Sequence, residues 1–319
     1  MSKLMAPGGT KEMALLALEA GADAVYLGAM GWSRRPPEDE LTDDELQEVY
    51  ARARELGKEV KLALNTLPGP KEIPLLLRKI ETYVGWGLSS FIMNDAGCIR
   101  LVRNRFPQVD IHASVTCAVA NREDVRFYRQ VGATFVILSY RWGVDVADIR
   151  AIKQEIDVGV ETFLFQPLQR GIICPGKCTM SSFFKFEHQV DAEGKDHYIG
   201  SSNRGGSCHR VCQAGWRVSG EGQSSPKQIP LKTNPSFVFW EIPDYIKAGV
   251  DYLKLPGREH PEGLMRDFTL FYRQVLDESM TAPDGGSLDR FVPEWEELKK
   301  RWVSERGRRD RHRLTSAAA

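Results

Sequence analysis

No apolar run in this sequence reaches the roughly 18 residues that a membrane-crossing helix needs. The N-terminus, Met1-Ser2-Lys3, passes almost directly into Leu4-Met5-Ala6 without a signal-peptide pattern. No membrane span is expected, and the expected compartment is the cytoplasm. Net charge is missing too: 43 basic residues balance 43 acidic ones. The overall field therefore gives no general attraction for nucleic acid or anionic lipid. There is no Gly-x-Ser-x-Gly elbow and no His-Glu-x-x-His helix, so two common hydrolase signatures are absent. Cysteine is sparse, at six residues. In a reducing compartment such residues serve as ligands, catalysts or core packing rather than disulfides.

What the sequence does contain is a repeated unit. An amphipathic helix ends at a glycine and a short apolar strand follows, as at Gly21, Gly57, Gly87, Gly132 and Gly249. Glycine stops a helix by taking the left-handed conformation. Apolar strands with little alternation suit a parallel sheet covered by helices. Eight strands are expected, near 3–6, 24–28, 60–65, 90–94, 109–113, 134–139, 159–165 and 252–256. Helices are expected near 10–20, 42–56, 71–86, 96–105, 120–131, 145–155, 241–248 and 261–279. This predicts an α/β fold, a (β/α)8 TIM-like barrel, over an open doubly wound sheet, because no glycine-rich dinucleotide loop follows the first strand. The expected barrel domain is 1–280, with an insertion over 166–235 after strand 7. Gly194 to Gly200 is read as an exposed turn within it. From about 281 the chain is expected to leave the barrel, with a linker at Pro283–Ser287, a short helix at Trp295–Trp302 and a basic tail to 319.

The insertion holds four of the six cysteines, as Cys174-Pro-Gly-Lys-Cys178 and Cys208-His-Arg-Val-Cys212. Two Cys-x3-Cys pairs in one loop point to a four-thiolate metal site. Thiolates suit zinc and iron–sulfur clusters alike, and spacing leaves the two equally open. Cys98 and Cys117 stand apart and are read as core residues. Residues at the C-terminal strand ends line a barrel mouth. Asn65, Asn94, Asp95, His112, Arg141, Gln166 and Arg258 fall there. Helix capping is the alternative for Asn65, Asn94 and Asp95, and a satisfied core histidine for His112. Arg258, on a short loop after strand 8, is a candidate anion clamp, as are Arg34 and Arg35 after strand 2. The basic tail, from Lys299 to Arg313, could bind phosphates or be a solvated end.

The order of several segments resembles the peptidase U32 family, the collagenase-like "protease" family. The segments are Leu4–Gly9 and Ala20–Gly28, with Asn65-Thr66, Asn94-Asp95 and His112–Ser114 at strand ends. Gly176–Phe184, Asn203–Cys212 and Ala248–Arg258 complete the resemblance. It implies a barrel carrying a [4Fe–4S] cluster on Cys174, Cys178, Cys208 and Cys212, with zinc as the alternative. It further implies oxygen-independent hydroxylation with prephenate as hydroxyl donor. Some members act in ubiquinone biosynthesis as paired paralogous subunits, and others modify tRNA or rRNA bases.

Two departures stand out. Where the family has its first cysteine, this chain has Gln166–Arg170, and Cys174 takes that role closer to Cys178. The family's Ile-Glu-Gly-Arg is Leu255-Pro256-Gly257-Arg258 here. The expected function is hydroxylation of a small aromatic or quinone-type substrate, with Asn65, His112 and Arg258 as site residues. RNA-base hydroxylation is the alternative. A further alternative is a non-catalytic iron–sulfur or zinc subunit supporting a paralogous partner in a heterodimer. Protease activity is not expected.

Overall fold

The structure, a computed structural model, describes residues 1–138, 145–167, 180–183, 186–204, 216–218, 220–222, 227–229, 235–282 and 287–305. Its first half repeats strand then helix. The units are β1 (Lys3–Gly8) with α1 (Lys11–Glu19), β2 (Ala24–Gly28) with α2 (Asp43–Glu55), and β3 (Glu59–Leu64) with α3 (Ile73–Trp86). Then come β4 (Ser90–Met93) with α4 (Ala96–Arg105), β5 (Asp110–Ala113) with α5 (Arg122–Val131), and β6 (Phe135–Ile137) with α6 (Val146–Glu155). Strand β7 (Gly159–Phe163) leads into the insertion. There the described strands are β8 (Phe165–Pro167), β9 (Glu187–Val190), β10 (Asp196–Ile199), β11 (Trp216–Val218), β12 (Lys227–Ile229) and β13 (Pro235–Phe237). Helix α7 (Ile242–Lys247), β14 (Tyr252–Lys254) and α8 (Glu262–Thr281) complete the repeat, and α9 (Val292–Ser304) follows.

Eight strands close into a parallel barrel, in the order β1-β14-β7-β6-β5-β4-β3-β2. This is the (β/α)8 architecture that the helix–glycine–strand pattern predicts. The helices begin where the sequence offers caps. Thr10, Asp95, Asn121 and Asp145 each accept a backbone N–H of the first turn, and Thr42 with Glu45 forms a capping box. Helix α5 stops at Gly132, whose φ of 117° a residue with a Cβ rarely adopts. Side chains alternate along each strand. Leu4, Val25, Leu62, Phe91, Ile111 and Val160 face outward into the core shared with the helices. Met5, Tyr26, Ala63, Ile92, Ile137, Phe163 and Tyr252 fill the lumen.

The insertion leaves and re-enters through β8 and β13, which pair antiparallel. β9 and β10 form an antiparallel hairpin. Its turn covers Asp191–Lys195, tightened by the Gly194 amide donating to the Asp191 carbonyl at 3.0 Å. The turn expected at Gly194–Gly200 is thus displaced, because Asp196–Ile199 pairs as a strand.

The C-terminal expectation needs a larger correction. The chain does not leave the barrel after 281. Leu288–Phe291 and α9 pack back onto it, burying Leu288, Phe291, Leu298 and Trp302. Trp302 stacks on His260 with ring centroids 3.8 Å apart and meets Phe237 and Phe268 edge-on at 5.3 and 5.4 Å. The helix expected at Trp295–Trp302 is therefore longer, with an apolar face seated against α8. Residues 283–286 and the basic tail from 306 onward lie outside the described residues. Among the described residues, no helix is long and apolar enough to cross a membrane. Replacing buried Trp302 with Ala should cost about 3 kcal/mol. Urea unfolding measures this, and an unchanged midpoint would mean that α9 adds nothing to the barrel.

Candidate active site at the barrel mouth

The lumen beneath the mouth is unusually charged. Near the N-terminal strand ends, Glu59 accepts from Lys3, from Lys61 at 2.5 Å and from the Tyr252 hydroxyl at 2.6 Å. Burial works against its charge, but these partners, Lys61 foremost, outweigh it and hold the carboxyl at about 2. Higher in the lumen, Glu161 bridges His112 Nδ1 and Lys254 Nζ, the latter at 2.9 Å. All three side chains are buried. Burial again opposes the Glu161 charge, yet Lys254 and His112 together keep it well below the usual carboxylate range. Burial lowers His112 against the pull of Glu161. The network thus assigns a neutral imidazole whose Nδ1–H donates to Glu161. Its Nε2 then accepts the Ser90 hydroxyl at 2.8 Å. The ring stacks on Phe135 at 4.3 Å. His112 is thus buried in the lumen with both ring nitrogens hydrogen-bonded, the satisfied core histidine that the sequence offered as the alternative to a place at the mouth.

Above this layer lies the mouth. Asn65, after β3, accepts the Arg34 amide at 3.2 Å and donates to the Ser114 hydroxyl at 3.3 Å. The Arg34 guanidinium donates through Nε to Asn203 Oδ1 at 2.8 Å. Arg258, 4% exposed, donates to the Ser33 hydroxyl at 3.3 Å and lies 5.7 Å from the Tyr26 ring centroid. Its loop is fixed by close approach. The Tyr26 hydroxyl donates to the Leu255 carbonyl at 3.0 Å. A Cβ on Gly9 would sit 1.8 Å from the Arg258 carbonyl oxygen, and one on Gly28 would sit 2.3 Å from the guanidinium. Only glycine fits against that carbonyl, and a Cβ at Gly28 would displace the guanidinium or the Ser33 hydroxyl. Arg35 pairs with Glu259 at 3.6 Å.

Glu40 completes the arrangement. Its buried carboxyl accepts the Gly31 amide at 2.7 Å, the Ser33 amide at 3.1 Å and the Ser33 hydroxyl at 2.7 Å. Burial pushes it up to about 7 despite these bonds and nearby Arg258. Ser33 thereby links a carboxyl that titrates near neutrality to a buried guanidinium, an arrangement that can hold an anion and move a proton.

The structure brings Asn65, Arg34, Arg35 and Arg258 together at one mouth. Asp95 belongs elsewhere: it caps α4, its Oδ1 accepting the Cys98 amide at 2.8 Å. Asn94 is buried at the end of β4. Cys174, Cys178, Cys208 and Cys212 lie outside the described residues, as do Ser139, Tyr140, Arg141 and the Gln166 side chain. Ser33, Glu40, Asn203, Glu161 and Lys254 are residues that sequence reasoning missed. Glu161 and Lys254 carried a usable signal, a lone charge within a buried apolar strand. Glu40 carried none, since it sits in a polar loop.

Comparisons with known proteins agree with this architecture. The family described as Peptidase family U32 matches residues 9–309. The solved U32 peptidase Mk0906 superposes with a TM-score of 0.54, covering 81% of this chain and 93% of that one, at 10% identity, which speaks for the fold alone. tRNA hydroxylation protein P of Escherichia coli is 30% identical over 62% of this chain and 46% of its own length. tRNA hydroxylation protein P1 of Bacillus subtilis is 25% identical over 95% of this chain and 67% of its own. The 23S rRNA 5-hydroxycytidine C2501 synthase of Escherichia coli is 27% identical over 92% of this chain and 43% of its own. This chain therefore spans less than half the length of the two Escherichia coli relatives. The names of all three relatives concern RNA, the second of the two substrate readings drawn from the sequence.

Two outcomes follow from the geometry. Replacing Lys254 with Met strands a buried carboxylate and should cost about 3–5 kcal/mol, whereas the Lys254→Met/Glu161→Leu double variant should be milder. Chemical denaturation decides, and a double variant worse than the single would break the pairing. Glu40 has a folded pKa near 7, above its unfolded value of 4.5. Its contribution is thus complete below about pH 4.5 and lost as pH rises through 7, at most about 3 kcal/mol. Thermal melts should show Glu40→Gln gaining on the wild type between pH 5 and pH 8.5; a constant difference would mean Glu40 does not titrate there.

Proposed function

This chain belongs to peptidase family U32, and from that premise we propose that it takes part in the oxygen-independent hydroxylation of an RNA base. The observation that carries the proposal is breadth of match. The Bacillus tRNA hydroxylation protein and the rRNA hydroxycytidine synthase align along more than nine-tenths of this chain, barrel and insertion together. The mouth supports it. Burial, then repulsion from Arg35, pushes Arg258 below its ordinary value. Two mutually repelling guanidiniums suit a site that receives an anion, either the carboxylates of a donor such as prephenate or an RNA phosphate.

We assign a [4Fe–4S] cluster to Cys174, Cys178, Cys208 and Cys212. The donor set fits, because four thiolates satisfy a soft metal centre. Among the described residues, no group of three or more His, Cys, Asp or Glu side chains could hold a metal ion. The Cys98 thiol is a poor substitute: burial, aided by Asp95, pushes it up to about 12. When bound, such a cluster supplies one-electron chemistry to the reaction. The chain's own residues do the rest. Arg258 and Arg35 hold the anionic group, Asn65 and Ser114 offer polar contacts at the rim, and Glu40 takes or releases a proton through Ser33.

The test is chemical. Nucleosides digested from tRNA and rRNA of cells lacking the gene should miss one pyrimidine that is one oxygen heavier than its parent. The wild-type gene should restore it and Cys178→Ala should not. An unchanged nucleoside profile sinks the RNA reading. Anaerobically purified protein should be brown and lose its visible absorption in Cys174→Ala. A colourless wild-type protein holding one zinc sinks the cluster.

A further inference from the structure

The β9–β10 hairpin turns one face to solvent, and that face is aromatic. Tyr198 stands directly opposite His188, and alternate residues of a strand share a face. The Tyr198 ring stacks on His188 with centroids 4.7 Å apart and on Phe186 at 5.5 Å, with planes 18° and 27° from parallel. The Arg204 guanidinium lies 4.8 Å from the Tyr198 ring centroid. Phe186 is 54% exposed and the His188 side chain 45%, so the stack keeps open surface. Phe183, 80% exposed, adds a fourth ring. Beside it, the Ser182 hydroxyl donates to the Gly200 carbonyl at 3.4 Å, just past β10. Exposed apolar side chains gathered on one face mark a contact surface.

The face is held firmly and close to the mouth. Glu72, buried just before α3, accepts from Lys195 Nζ at 3.3 Å and from Arg204 Nη2 at 2.8 Å. Both flanks of β10 are thereby tied to the barrel. His197, on the other face of the hairpin, rests on the loop after β2, where a Cβ on Gly31 would sit 2.6 Å from its ring. Asn203, next to Arg204, accepts Arg34 Nε at 2.8 Å through its side chain and the Leu67 amide at 2.7 Å through its carbonyl. The aromatic face therefore adjoins the arginines of the mouth. The hairpin's carboxylates do not dominate it. Asp196 is answered by His188 at 2.6 Å, Asp191 by His197 at 2.8 Å and Glu193 by Lys79 at 3.7 Å, while Glu187 pairs with Ile199 on the other face.

The chemistry of the face selects its occupant. The core of a protein interface is depleted of charge, whereas Arg204, His188 and Asp196 stand among these rings. Unpaired nucleotides suit the mixture, because every base offers a π-face to a ring and every phosphate a negative charge to a guanidinium. An enzyme that acts on a base takes it out of its stack, and the neighbours left behind need new stacking partners. We propose that the outward face of the β9–β10 hairpin is a stacking platform for single-stranded RNA, receiving the nucleotides that flank the base presented to the mouth. The proposal rests on the RNA reading above.

The test uses the full chain and a fluorescent oligouridylate, alone or annealed to oligoadenylate. Affinity is measured for the wild type, Phe183→Ala, Phe186→Ala, Tyr198→Ala, Tyr198→Phe and a control on the outer wall, Phe127→Ala. Phe186→Ala and Tyr198→Ala should each bind the single strand about tenfold more weakly, the size of one lost base stack. Tyr198→Phe and the control should match the wild type. The dependence of affinity on salt should not change, since no phosphate contact is removed. Urea midpoints check folding; if Tyr198→Ala is destabilised, the exposed positions Phe183 and Phe186 decide. Wild-type affinity in the Phe183, Phe186 and Tyr198 variants overturns the platform and leaves the RNA reading to the nucleoside profile. Equal affinity of the wild type for duplex and single strand overturns it as well. A dimer in sedimentation that Phe186→Ala dissociates, with RNA affinity untouched, assigns the face to a second copy instead and overturns the proposal. A wild-type chain that binds neither the oligouridylate nor tRNA, in cells whose nucleosides do not depend on the gene, overturns the platform and the RNA reading together.

Discussion

A carboxylate at the centre of a protein survives only if its charge is answered on the spot, and Glu161 is answered twice. His112 reaches it from β5 and Lys254 from β14, while Glu161 itself stands on β7. An eight-stranded barrel has a lumen that side chains must fill, commonly with branched apolar residues. Here part of that filling is ionic. Removing Lys254 or Glu161 leaves an uncompensated charge in a water-poor interior, and removing His112 strips a hydrogen bond from the carboxylate, so the three strands are held to one another in a single arrangement. The same demand recurs lower in the lumen, where Glu59 answers Lys3 and Lys61 together.

The mouth inherits its geometry from this layer. Lys254 ends β14, and the next residues form the loop that carries Arg258. The loop's backbone is caught by the Tyr26 hydroxyl from below and pressed against Gly9 from the side. From behind, Trp302 of α9 stacks on His260 and so backs the same loop. A guanidinium held from three directions loses little entropy when an anion arrives, which is what preorganised charge recognition requires. Electrostatics at the mouth are graded rather than uniform. Arg258 and Arg35 repel, Glu259 partly offsets Arg35, and Glu40 sits close enough to neutrality to carry or release a proton at working pH.

Much of this was legible before any coordinates. Local pattern located all eight barrel strands, five of them directly behind a helix-ending glycine, because strand burial and helix termination are set by local composition. Asn65, Arg34 and Arg258 were legible because strand ends of such a barrel converge on one face. Asp95 and His112 show the boundary of that argument. Both sit at or near strand ends, yet one satisfies a helix terminus and the other points into the lumen. A position along the strand does not say which way the side chain turns. The C-terminal segment shows the same boundary: glycines and a proline before it resemble a linker, and only the fit of Trp302 between Phe237, Phe268 and His260 makes it part of the core.

The sequence by itself determined the barrel, the insertion after the seventh strand and the paired cysteines, since each is written in local pattern and spacing. Tertiary structure alone decided which charges meet. Glu161 and Lys254 are 93 residues apart, Glu72 and Arg204 132, and Ser33 and Arg258 225. Such partners are chosen by the closure of the barrel, which brings distant strand ends to one rim. No local pattern records that choice, because the energy that enforces it, the cost of leaving a buried charge unanswered, exists only once the chain has closed.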